Sequence, residues 1–111
     1  MNNALTILWT SDNKTTFTEM VSMYARNARA NGWWGNVRVV IWGASAQLAG
    51  SDPDVKRALE ELQEHGVVIE ACKACADDLC VTESLEASGV VVRYWGEKLT
   101  DALRNETVLS V

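Results

Sequence analysis

At 111 residues, 48% apolar and 23% charged, the chain has the size and composition of one globular domain around one core, and neither a disordered nor a fibrous class fits. Acidic residues outnumber basic ones by 15 to 10, for a formal charge of −5; phosphate-backbone binding needs a basic face, so no nucleic-acid partner is expected. No apolar run approaches bilayer-spanning length, and the polar start at Asn2 and Asn3 lacks the basic flank of a secretory signal, so the expectation is a cytoplasmic protein with no membrane partner.

Leu5 to Trp9 is a compact β-rich run that stops at the polar group Thr10 to Asn13, a strand-to-helix turn. Phe17, Met20, Val21, Tyr24, Ala25 and Ala28 then recur at three- and four-residue steps and share one helical face. Thr16 and Glu19 have capping-box spacing at its start, and Gly32 sits where a C′ glycine belongs. Trp33 and Trp34 follow side by side. Adjacent residues cannot both face one core, so at least one indole is expected to be exposed or covered by another subunit.

Val37 to Trp42 is the second strand, and its unalternating Val39-Val40-Ile41 suits a parallel sheet covered on both faces. Gly43-Ala44-Ser45 is read as a small-residue loop, and Ser51-Asp52-Pro53 as the start of a helix with the apolar stripe Val55, Ala58, Leu59 and Leu62, ending at Gly66. The third strand, Val67 to Ala71, runs directly into Cys72-x-x-Cys75 at the start of a further helix. A short helix capped at Thr82 and ending at Gly89, a fourth strand Val90 to Val92, a helix from Lys98 to Arg104 and an edge strand Val108 to Val111 complete the chain. Strand and helix alternate at βαβ spacing, which predicts a three-layer α/β/α sandwich around a mostly parallel five-stranded sheet.

Ligands of such sheets sit at the carboxyl ends of the strands. Four loops are expected to meet there, Thr10 to Asn13, Gly43 to Ser45, Ala71 to Cys75 and Tyr94 to Glu97, with the cysteines among them. The helix start favours Cys72 as a thiolate and Lys73 adds a cation, while Glu70, Asp77 and Asp78 act the other way. Four readings of the pair compete: buried small hydrophobes, a metal site, a thioredoxin-type redox pair, and sulfur or electron transfer by one exposed thiolate. Cys80 offers a third sulfur, but there is no second Cys-x-x-Cys and His65 is the single histidine, so neither a metal nor an organic cofactor is expected. His65 reads instead as a residue at a helix C-terminus. Ser45 has no histidine base other than His65 at the opposite end of the sheet, and the glycines form no phosphate-binding pattern. Transfer by one thiolate fits the placement best. A different class of function is a non-enzymatic oligomeric module that binds a small ligand beside Asp12, Asn13, Gly43, Ser45 and Glu97.

Gly66-Val67 through Ala71-Cys72-Lys73-Ala74-Cys75-Ala76, together with Ile41 to Ser45, Gly89 to Val92 and Tyr94 to Thr100, resembles the DsrE/DsrF-like family of small α/β proteins linked to intracellular sulfur trafficking. The likeness spans nearly the whole chain, residues 1–111 being read as one such domain. It implies a sulfur-carrier or sulfurtransferase-like protein whose persulfide-forming cysteine, placed immediately after the third strand, is Cys72. Cys75 is then an auxiliary thiol that takes the sulfur or closes a disulfide. The resemblance also implies a homo-oligomer, a trimer or hexamer, and a sulfur donor or acceptor protein as partner.

Overall fold

The computed structural model describes residues 3–111, so the expectation resting on Asn2 lies outside the described residues. Strands β1 (Ala4–Trp9), β2 (Asn36–Ile41), β3 (Val68–Cys72), β4 (Val91–Arg93) and β5 (Thr107–Ser110) form a five-stranded sheet in the order β4-β3-β2-β1-β5. Every pairing is parallel, with Ile7 opposite Val39, Val39 opposite Ile69 and Ala71 opposite Val92. The C-terminal strand is the edge strand that its alternation predicted.

Helix α1 runs without a break through Lys14–Thr16, a wider π-helical stretch Phe17–Ser22, and Met23–Ala30. It is followed by α2 (Ala44–Ser51), α3 (Pro53–Glu64), α4 (Lys73–Asp78), α5 (Thr82–Ala87) and α6 (Gly96–Asn105). Right-handed crossovers keep helices on one face while the chain steps along a sheet in one direction. From β1 to β4 it does so, and α1 to α5 all contribute to one core with Leu5, Ile7, Val39, Ile41, Ile69 and Ala71 of the sheet. The last crossover returns past the whole sheet to β5, which places α6 on the other face, over Val40, Cys72 and Trp95. Each buried Leu, Ile, Val or Phe contributes roughly 1.5–3 kcal/mol, so the first face, with nearly all the large side chains, dominates stability.

The helical face predicted in α1 is the buried one: Phe17, Val21, Ala25 and Ala28 are inside, and the Phe17 ring lies 4.5 Å from that of Trp9. The capping-box expectation is corrected, because Asn13 is the N-cap and its side chain accepts the Thr16 N–H at 2.9 Å. Asp52 caps α3 ahead of Pro53, and Gly32, Gly66 and Gly89 end their helices with φ of 68°, 88° and 84°, a region that costs glycine little. Trp33 is 58% exposed, whereas Trp34 packs on the core and donates its Nε1–H to the Tyr24 hydroxyl at 3.2 Å.

Gly43-Ala44-Ser45 is a helix start and not merely a loop. Its alanines suit a helix, and the small faces of Ser45, Ala46 and Ala49 let α2 lie close on the sheet. Gly50 serves the same closeness toward α5, since a Cβ there would fall 2.5 Å from that of Val81. The last helix likewise begins two residues earlier than expected, at Gly96, which draws Glu97 from the loop into its first turn.

Candidate active site

Strands β3 and β4 are neighbours, yet the chain leaves them toward opposite faces, β3 into α4 on the crowded side and β4 into α6 on the other. The carboxyl ends of two such strands are where sheets of this kind place their ligands. Cys72, the last residue of β3, stands at this point opposite Arg93. Its side chain faces the α6 side, where only 5% of the residue is exposed and Val40 and Trp95 wall it in.

Cys75, one turn further on in α4, is half-buried and packs against the same cluster. Its Sγ accepts the backbone N–H of Gly43 at 3.3 Å, so the exit of β2 and the thiol segment after β3 are joined directly. Cys72 and Cys75 pack in the same cluster, and the backbone amides of Cys75 and Ala74 favour the charged form of Cys72. Burial nonetheless pushes the Cys72 thiol above its ordinary range; the amide of Cys75 opposes that shift, the Cys75 thiol reinforces it and the Ala74 amide opposes it more weakly. The expectation of a helix-stabilised thiolate at Cys72 is therefore corrected, because desolvation of the charged form outweighs the amides. Lys73 does not offset this: its Nζ is bound to Asp77 at 2.9 Å and lies over the Tyr94 ring at 5.9 Å.

Cys80 is exposed, apart from the pair, in the turn after α4 with φ of 59°. Among the described residues, no three His, Cys, Asp or Glu side chains are gathered so as to hold a metal ion. His65 lies at the end of α3, its Nδ1 2.8 Å from the Glu61 carbonyl oxygen.

The residues expected to bind a small ligand are dispersed among other tasks. Ser45 is fully buried; its hydroxyl donates to the Trp9 carbonyl at 2.6 Å and accepts the Trp42 N–H at 3.1 Å, tying β1 to β2. Asn13 is occupied as a cap, Asp12 is exposed, and Gly43 serves Cys75. Glu97 lines a cavity of about 330 Å³ with Arg38, Lys98, Asp101 and Glu106, on the α6 side.

The sequence profile of the DsrE/DsrF-like family matches residues 4–105. The chain belongs to the DsrE/DsrF-like family. It is similar to BT1422, a Bacteroides thetaiotaomicron protein of unknown function, at 41% identity, with 98% of this chain and 95% of that one covered and a TM-score of 0.96. The fold is shared with the ychN protein of E. coli (16% identity, 100% of each chain, TM-score 0.68). It is shared also with MTH1491, of unknown function, from Methanobacterium thermoautotrophicum (15% identity, 99% of this chain and 100% of that one, TM-score 0.76). No curated protein matches the chain.

This DsrE/DsrF-like chain also holds a polar cluster that its sequence did not single out. Glu70, two residues before Cys72 and on the same face, is 6% exposed. Its Oε1 accepts the Trp95 indole N–H at 3.0 Å and pairs with Arg93 Nε at 3.1 Å. Arg38 reaches Glu70 at 3.9 Å and Glu106 at 3.1 Å, and its guanidinium lies 4.8 Å above the Trp95 ring. The signal was present as single charges inside apolar strand runs, Arg38 between Val37 and Val39 and Glu70 between Ile69 and Ala71. Buried charges require partners, and here the partners come from neighbouring strands. The cluster clamps Trp95, which in turn packs against Cys72.

Proposed function

We propose that this protein is a sulfur carrier that holds sulfane sulfur as a persulfide on Cys72, with Cys75 as its auxiliary thiol. The observation that carries the reading is the position of Cys72 at the carboxyl end of β3, beside a strand whose connection leaves toward the opposite face, with a second thiol packed on the same cluster. The family, associated with sulfur relay, supplies the chemical class. A sheltered apolar wall suits a reactive sulfur that must survive until an acceptor arrives, and free thiols of this kind belong in a reducing compartment such as the cytoplasm.

The proposal includes self-association and a donor or acceptor protein. Val68 and Val91, 49% and 44% exposed on the α6 face of the sheet, support a covering subunit; sedimentation that returns the monomer mass at micromolar concentration would remove this part. The carrier reading itself is tested by exposing the reduced native protein to inorganic polysulfide and mapping the adducts by peptide mass spectrometry. Sulfur on Cys72 that is transferable to a small thiol is expected. Adducts on Cys80 alone, or on no cysteine until the protein is unfolded, overturn the reading.

A further inference from the structure

A carrier thiol that is nearly sealed has to be loaded through something. Cys72 is 5% exposed, while Cys75 is half-buried and packs on the same apolar cluster, one helical turn further along the chain. The two sulfurs also differ in what surrounds them. Cys75 Sγ receives the Gly43 N–H at 3.3 Å, a donor fixed by the backbone of another strand's exit and independent of the cysteine segment. Such a donor anchors the more accessible sulfur at the exit of β2 and offers it a hydrogen bond both when it attacks and, in a second step, when it leaves.

Resting on the carrier reading, we infer that Cys75 is the entry thiol: it takes sulfane sulfur from outside and hands it inward to Cys72. In the first step the Cys75 thiolate attacks a terminal sulfur of an inorganic polysulfide or of a persulfide. The new S–S bond forms on Cys75 while the donor's S–S bond breaks, and the donor leaves one sulfur shorter with the electron pair. In the second step Cys72 attacks the outer sulfur of the Cys75 persulfide. A Cys72–sulfur bond forms, the Cys75–sulfur bond breaks, and Cys75 departs as a thiolate at the Gly43 N–H, ready to accept the proton that Cys72 gave up. One S–S bond is exchanged for another at each step, so no oxidant or reductant is consumed. The raised proton affinity of Cys72 fits this order, because a thiol that holds its proton is a poor first nucleophile and is best deprotonated by the leaving sulfur beside it.

The test is a quench-flow time course of the full-length protein with inorganic polysulfide, read by peptide-mapped mass spectrometry after alkylation. In the wild type, the Cys75 adduct appears first and decays as the Cys72 adduct rises. Replacing Cys75 by Ser, a smaller acceptor that still suits the Gly43 N–H, slows loading of Cys72 at least tenfold, and Cys72→Ser leaves sulfur stalled on Cys75. Loading of Cys72 at the wild-type rate in the Cys75→Ser protein, or a Cys72 adduct that precedes the Cys75 adduct, overturns the relay and leaves the carrier reading standing. Formation of a Cys72–Cys75 disulfide with release of sulfide also overturns it, since attack then falls on the inner sulfur. Absence of sulfur from both residues overturns the carrier reading itself. The wild-type order of events makes the outcome independent of how well either variant folds.

Discussion

The backbone N–H of Gly43 donates to Cys75 Sγ at 3.3 Å, so the second residue after β2 and the outer thiol after β3 are tied together. Gly43 adopts φ 70° and ψ −133°, a conformation that residues with a Cβ rarely enter. Nothing lies within 4 Å of where a Cβ would stand, so the difficulty of replacing it is conformational and not steric crowding. Gly43→Ala is expected to lose about 1–3 kcal/mol of stability. If the backbone relaxes to escape the strain, the N–H turns off Cys75 and sulfur uptake there slows. Urea unfolding together with the polysulfide time course reads both effects; an unchanged rate in a destabilised variant would show that the amide is structural only.

Burial sets the pH response of Cys72. Its folded-state pKa is raised above the ordinary 9.0, so below that value the thiol is protonated in both states and its contribution to stability is complete. As pH rises past 9.0, the unfolded chain releases the proton first, and the contribution is lost progressively toward the folded pKa. Lys14 and Lys73, whose pKa values are also raised by their carboxylate partners, lose stability in the same direction at higher pH. The wild-type melting temperature should therefore fall more steeply above pH 9.0 than that of Cys72→Ser, the difference isolating the thiol. Iodoacetamide should modify Cys72 slower than exposed Cys80 at neutral pH, because the thiolate is the reacting species and access is restricted. Equal rates for the two would contradict both the burial and the shift.

The strands and most helix ends were legible because local signals and tertiary structure agree there: continuous apolar runs at Val39 to Ile41 and Val67 to Ile69, and glycines at 32, 66 and 89. The start of α2 was not, because Gly43 and Ser45 look like turn residues, and only the close approach of the helix to the sheet explains their use. The cysteine placement was legible from the strand that precedes it. What could not be read was the different setting of the two thiols, since it depends on which way β3 turns Cys72 and on a Gly43 amide 32 residues away in sequence. The Glu70 cluster was hidden for the same reason, its partners Arg38, Arg93 and Trp95 being scattered along the chain.

That cluster makes a stability prediction. Glu70→Gln keeps an acceptor for the Trp95 N–H but loses the charge opposite Arg93 and Arg38, and should cost about 1–2 kcal/mol. Glu70→Ala leaves the buried Trp95 N–H without its acceptor and Arg93 without its partner, while Arg38 keeps Glu106, and should cost about 3–5 kcal/mol. Because Trp95 also walls Cys72, the alanine variant should raise the alkylation rate of Cys72 while the glutamine variant leaves it near the wild-type value. Equal stability losses in the two variants would mean that charge, and not the indole hydrogen bond, holds Trp95 in place.

Ser45 separates the two classes of function considered from the sequence. Its hydroxyl is within the protein, bridging the Trp9 carbonyl and the Trp42 N–H at 2.6 and 3.1 Å. The Trp42 N–H also reaches the Trp9 carbonyl at 3.1 Å, so Ser45→Ala leaves that donor with a partner and should cost only about 1 kcal/mol, the net worth of an ordinary hydrogen bond. The carrier reading requires sulfur loading of Ser45→Ala to match the wild type, since the hydroxyl faces neither thiol. A small-ligand site that includes Ser45 requires the opposite, a loss of function larger than the loss of stability. Thermal unfolding and polysulfide loading measured on the same sample decide between them: a normal loading curve on a slightly less stable protein confines Ser45 to holding β1 and β2 together, and a loading defect would place it in the site.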